Sequence, residues 1–136
     1  MMKKMLIPAA VDRLDEINAF VDAELEACGC SPKAQMQVAL AVEEIFVNIA
    51  HYAYNPEVGE AEVSVDTSGD PPSVTIRFLD HGKPFNPLAK PDADTTLSAE
   101  ERDIGGLGIL MVKKSMDDVQ YQYEDGCNIL TLKKHL

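Results

Sequence analysis

Residues 60–66 alternate Ala61, Val63 and Val65 against Glu60, Glu62 and Ser64, and Val74, Ile76 and Phe78 alternate in the segment after Gly69-Asp70-Pro71-Pro72. A period of two on each side of a turn predicts the two arms of a β-hairpin. Residues 119–123 and 128–134 repeat the arrangement around Glu124-Asp125-Gly126. Strands joined this tightly pair antiparallel, so most of any sheet this chain builds is antiparallel.

The rest of the chain supplies helices with one apolar stripe each. Leu14, Ile17, Phe20, Val21 and Leu25 fall at helical spacing over residues 12–28, and Gly29 ends that run. Ser31-Pro32 then offers an N-cap hydroxyl and a proline at the first helical position, where no amide proton is needed. The second helix carries Val38, Val42, Ile45, Phe46, Ile49 and Ala53 on its apolar side, and Asn55-Pro56 stops it near Tyr54. Residues 105–116 form a third helix with Ile109, Leu110 and Val112, and residues 3–8 read as a short first strand. Helices with one apolar face must cover one face of the sheet. The expected fold is a two-layer α/β sandwich, a mixed, mainly antiparallel sheet under three helices.

At 136 residues the chain is read as one domain, burying roughly 70% of its extended-chain surface. A net charge of −11 argues against nucleic acid, because phosphate affinity comes from lysine and arginine. That field suits a divalent cation or a basic patch on a protein partner. No stretch approaches the ~18 apolar residues of a membrane span. The apolar start is broken at Pro8, too soon for the core of a signal peptide. Cys28, Cys30 and Cys127 are odd in number, with Cys28-Gly29-Cys30 at neither zinc-knuckle nor redox spacing. Reduced thiols in a cytoplasmic protein are expected.

Three motifs follow one another in order. Glu44 and Asn48, four apart, project from one face of the second helix, with Gln37 and His51, beside the apolar stripe. Alone this is the spacing of any solvated helical face. Glu43 lies five from Asn48 and so off its face. Next comes Asp80-His81-Gly82-Lys83-Pro84-Phe85. A carboxylate at a strand end can accept a hydrogen bond from an adenine amino group, and Gly82 permits a sharp turn with close ligand approach. Then Gly105-Gly106-Leu107-Gly108 opens a helix, where backbone amides and the helix dipole favour phosphate. Residues 86–104 between them have two prolines, many carboxylates and no sustained period, as expected of a lid or binding loop. Arg102 is the best-placed cation for a phosphate, while the directions of Lys83 and His51 are left open. The three histidines are scattered without zinc-ligand spacing. No nucleophile elbow supports hydrolase chemistry.

In order and spacing these motifs resemble the ATPase superfamily of gyrase, the heat-shock chaperone, histidine kinases and mismatch-repair proteins. Within it, Asp80, Gly82, Pro84 and Phe85 match the second box of the bacterial anti-sigma-factor serine/threonine kinases. The resemblance implies a histidine-kinase-like ATPase fold, Glu44 as general base, and Asn48 as a ligand of Mg²⁺. It implies that Asp80, Gly82, Phe85, Arg102, Gly105, Gly106, Leu107 and Gly108 hold ATP. The family often places a threonine on the last strand, supporting the aspartate through water. Here Thr131 falls on the outward face and Asn128 on the inward one, so Asn128 is expected in that place. The implied activity is phosphorylation of a STAS-domain anti-sigma antagonist by a cytoplasmic kinase that regulates transcription. A sigma factor and a second copy of the chain are further implied partners. The rival is a nucleotide-gated module that sequesters a partner without phosphorylating it; Glu44 speaks against that, since sequestration needs no base. A histidine kinase would need a dimerisation helix pair and phosphoacceptor histidine that these residues do not include.

Overall fold

The computed structural model describes residues 2–52, 59–69, 72–84, 86 and 106–136. Strand β1 (Met2–Pro8) leads through a 3₁₀ turn at Val11–Arg13 into α1 (Leu14–Ala27) and α2 (Pro32–Tyr52). Strands β2 (Glu60–Ser68) and β3 (Ser73–Asp80) form the first hairpin; α3 (Gly106–Ser115) precedes the second, β4 (Asp118–Glu124) and β5 (Cys127–His135).

Local chemistry accounts for the breaks. Gly29 takes φ +73°, its amide donates to Glu26 O and the Cys30 amide reaches back to Leu25 O. That pair of bonds is a Schellman stop, closed by the residue type that bears a left-handed φ at least cost. Ser31 Oγ accepts from the Ala34 amide at 3.2 Å, so the N-cap hydroxyl and Pro32 start α2 as expected. At the β4–β5 turn, Asp125 and Gly126 both have positive φ, 53° and 77°, the two-residue turn whose twist matches the flanking strands.

The sheet order is β1-β2-β3-β5-β4. All four described pairings are antiparallel, so the mainly antiparallel sheet contains no parallel pairing among the described residues. Inserting β5 between β3 and β4 sets Asp80 directly opposite Asn128. One face is apolar across the strands, with Ile7, Val63, Val65, Val74, Ile76, Phe78, Leu130 and Leu132 buried. Ile17, Val21 and Leu25 of α1, Val38, Val42, Ile45 and Phe46 of α2, and Ile109 and Val112 of α3 join them in one core. The opposite face carries the row Lys4, Ser64, Arg77, Thr131 and Gln120, aligned by register. No helix among the described residues is long and apolar enough to cross a membrane.

Phe85, Arg102 and Gly105, and the expected lid at 86–104 apart from Asn86, lie outside the described residues.

Candidate functional site

Asp80 closes β3 and is a buried residue, 4% exposed. A buried carboxylate needs donors, and two are present: the Gly82 amide at 2.9 Å and Asn128 Nδ2 at 2.9 Å. The first is an aspartate side chain bonding the backbone two residues on, which turns the chain without a left-handed residue. Among the described residues the glycines with positive φ are Gly29, Gly69 and Gly126. Gly82, expected at a sharp turn, contributes its amide and its lack of a side chain rather than a left-handed φ. Both bonds fall on Oδ1. Among the described residues the fully enclosed polar side-chain atoms without a partner are Asn18 Oδ1 and Asn48 Nδ2; neither of the two bonds to Asp80 engages its Oδ2.

Asn128 is 6% exposed and lies on the helix-facing side with Leu130 and Leu132. Its Nδ2 also donates to Lys83 O at 2.8 Å and approaches Gly82 O at 3.5 Å. Its Oδ1 accepts from the Tyr121 hydroxyl. Where the resemblance implies a water-mediated threonine, this chain makes a direct asparagine bridge. Beside it, Cys127 Sγ lies 3.3 Å from His81 Nδ1.

On α2, Glu44 is half-buried and Glu43 exposed. Burial, and secondarily the negative charge of Glu43, push the Glu44 carboxyl above the ordinary glutamate range. Both effects disfavour the ionised form, and a more basic carboxylate is a better proton acceptor. Asn48 was expected on the polar flank of α2. It is instead 6% exposed, at the margin of the core formed by Ile45 and Phe46, because the helical stripe that faces the sheet is wide enough to take it in. Its buried Nδ2 has no partner, and a 180° rotation of the amide would present Oδ1 at the same place. An orphaned amide end of this kind fits an oxygen ligand for Mg²⁺. Among the described residues no group of three or more His, Cys, Asp or Glu could hold a metal, so the ion would share Asn48 with phosphate oxygens and water.

The third motif begins α3, as its place at the head of a helix led one to expect. Gly106, Leu107 and Gly108 form the first turn, where amides lack intrahelical acceptors and face outward along the axis. The structure thus joins Asp80, Gly82 and Asn128 by hydrogen bonds. Glu44 and Asn48 stand together on α2, with no hydrogen bond or ion pair to that cluster among the described residues. Tyr121 was missed by sequence reasoning. Its signal was present: the two-residue turn at Asp125-Gly126 fixes the register, which puts Tyr121 on the inward side of β4, diagonal to Asn128.

The profile of the histidine kinase-like ATPase domain matches residues 7–134. The chain belongs to that family. Within it, the chain is similar to the serine-protein kinase RsbW of Listeria monocytogenes (serovar 1/2a, strain EGD-e). The two are 28% identical over 109 residues, 77% of this chain and 69% of the relative. It is also similar to the serine-protein kinase RsbW of Bacillus mycoides, 25% identical over 134 residues that cover 96% of this chain and 82% of that one. Among solved structures, the RsbU and RsbW domains of a Mycobacterium tuberculosis protein superpose with a TM-score of 0.68 at 17% identity. That match covers 98% of this chain and 32% of the other, and it shows the shared fold.

Proposed function

We propose that this protein is an ATP-dependent serine/threonine kinase of the anti-sigma type, acting on a STAS-domain antagonist protein. The observation that carries the reading is the buried Asp80, whose Oδ1 is held by Gly82 and Asn128 while neither bond engages Oδ2. Such a group suits the adenine amino group. Asn48 would hold Mg²⁺ beside the phosphates, and the amides of Gly106, Leu107 and Gly108 would cradle them. Bound Mg²⁺ would neutralise charge on the transferring phosphoryl group. Phe85, Arg102 and Gly105, outside the described residues, are assigned to the nucleotide from the sequence and its resemblance. Glu44 would accept the proton of the incoming serine or threonine hydroxyl, a task its raised basicity favours. The naming of the relatives as serine-protein kinases supports phosphoryl transfer. A sigma factor and a second copy of the chain are the further partners of this reading, and the cytoplasm its compartment.

The deciding experiment incubates the protein with labelled ATP, Mg²⁺ and STAS-domain proteins from the same genome. Label should appear on a serine or threonine of one of them. A protein that binds MgATP and retains a partner in pull-downs, yet labels none of them, is the sequestering module instead. Asn48→Ala should lose the gain in nucleotide affinity that Mg²⁺ confers, while binding without the metal persists.

A further inference from the structure

We propose that Tyr121, acting through Asn128, makes this site select adenine over guanine. The inference rests on the reading of Asp80 as the base-binding carboxylate. A carboxylate by itself does not distinguish the two purines. Adenine offers one exocyclic amino group at C6. Guanine offers N1–H and its C2 amino group side by side, a two-donor edge that a carboxylate with both oxygens open accepts in parallel bonds. Selectivity for adenine therefore requires that one oxygen be withdrawn.

The structure contains the means. Asp80 Oδ1 accepts from Gly82 N and Asn128 Nδ2, both at 2.9 Å; neither bond engages Oδ2, the oxygen this reading assigns to the base. Asn128 can do this only with its amino end toward Asp80. Three acceptors surround that end: Asp80 Oδ1, Lys83 O at 2.8 Å and Gly82 O at 3.5 Å. With both hydrogens committed, Asn128 has none to offer a guanine O6. The carbonyl end is buried and must also be satisfied; the Tyr121 hydroxyl donates to it. Tyr121 is thus a positioning residue, two side chains away from the base. It stabilises the one amide orientation that occupies Asp80 Oδ1 and ties it to the backbone of the following turn.

The test measures ATP, GTP and inosine triphosphate affinities by titration calorimetry on the full chain, in wild type, Tyr121→Phe and Asn128→Ala. Tyr121→Phe removes one hydroxyl at a half-buried position of an edge strand, so the fold is retained. Wild type should prefer ATP. Tyr121→Phe should lower the ATP-to-GTP affinity ratio about threefold to tenfold, the range of one net hydrogen bond, and Asn128→Ala should lower it at least as far. Inosine triphosphate, which lacks the C2 amino group, should gain less than GTP in both variants. If both variants lose ATP and GTP affinity in equal proportion, Tyr121 and Asn128 only support the fold and the inference is overturned. A wild type that binds no nucleotide would instead overturn the ATP reading, and this inference with it.

Discussion

Asp80 is where a single atom decides most. Replacing one carboxylate oxygen by an amino group in Asp80→Asn leaves size unchanged but puts a donor opposite either the adenine amino group or the donors that Oδ1 receives. ATP affinity should fall by about 1.5–3 kcal/mol, the range for a hydrogen bond to a charged group; calorimetric affinity equal to wild type would remove Asp80 from the base site. Glu44 acts on rate rather than affinity. Glu44→Gln should slow phosphate transfer on the order of 10²–10⁴-fold with MgATP affinity nearly unchanged, read by single-turnover transfer at saturating nucleotide. The pH dependence follows from the raised carboxyl. The folded state holds the Glu44 proton more tightly than the unfolded chain does. Its contribution to stability is therefore fully present below the ordinary glutamate pKa and is lost as pH rises through the raised value. At neutral pH the charged side chain is a cost. Glu44→Gln should accordingly melt higher than wild type near pH 7.5, with the gain shrinking in acid, and a melting difference independent of pH would contradict that account.

The helices are terminated by devices that can be tested one at a time. Gly29 sits at φ +73° with nothing within 4 Å of where a Cβ would stand. Gly29→Ala thus meets no clash and reports backbone strain alone, which should destabilise the protein by about 1–2 kcal/mol. A urea titration checks it, and an unchanged midpoint would mean that the α1–α2 junction relaxes out of the left-handed conformation. The Ser31 cap on the next helix was legible in the sequence because capping is local chemistry of four residues. The burial of Asn48 was not, because the width of the buried stripe on α2 depends on how α1, α3 and the sheet close around it.

For the whole molecule, a net charge of −11 on 136 residues is the dominant electrostatic fact. Self-repulsion in a compact acidic protein is relieved by counterions, since the Debye length falls from ~30 Å at 0.01 M to ~3 Å at 1 M salt. Raising sodium chloride from 10 mM to about 0.5 M should therefore raise the melting temperature, where screening is the operative effect. A melting point that falls over that range would show that exposed ion pairs such as Arg13–Glu16, at 2.9 Å, outweigh the repulsion.

Periodicity in the sequence determined the elements, because a period of two or of three to four is written into consecutive residues. The hairpin turns determined that β2 pairs with β3 and β4 with β5, and the ordered E-x-x-x-N, D-x-G and G-G-x-G motifs pointed to Asp80, Asn48 and the first turn of α3. Alternation on the last strand placed Asn128 inward. The tertiary structure decided what no local pattern carries: that β5, the last strand in the chain, lies between β3 and β4. That insertion brings Asp80 within hydrogen-bond distance of a residue 48 positions away and sets Tyr121 behind both. A sheet's strand order is fixed by the packing of its helices and the reach of its connections, so contacts across it exist only once the chain has folded.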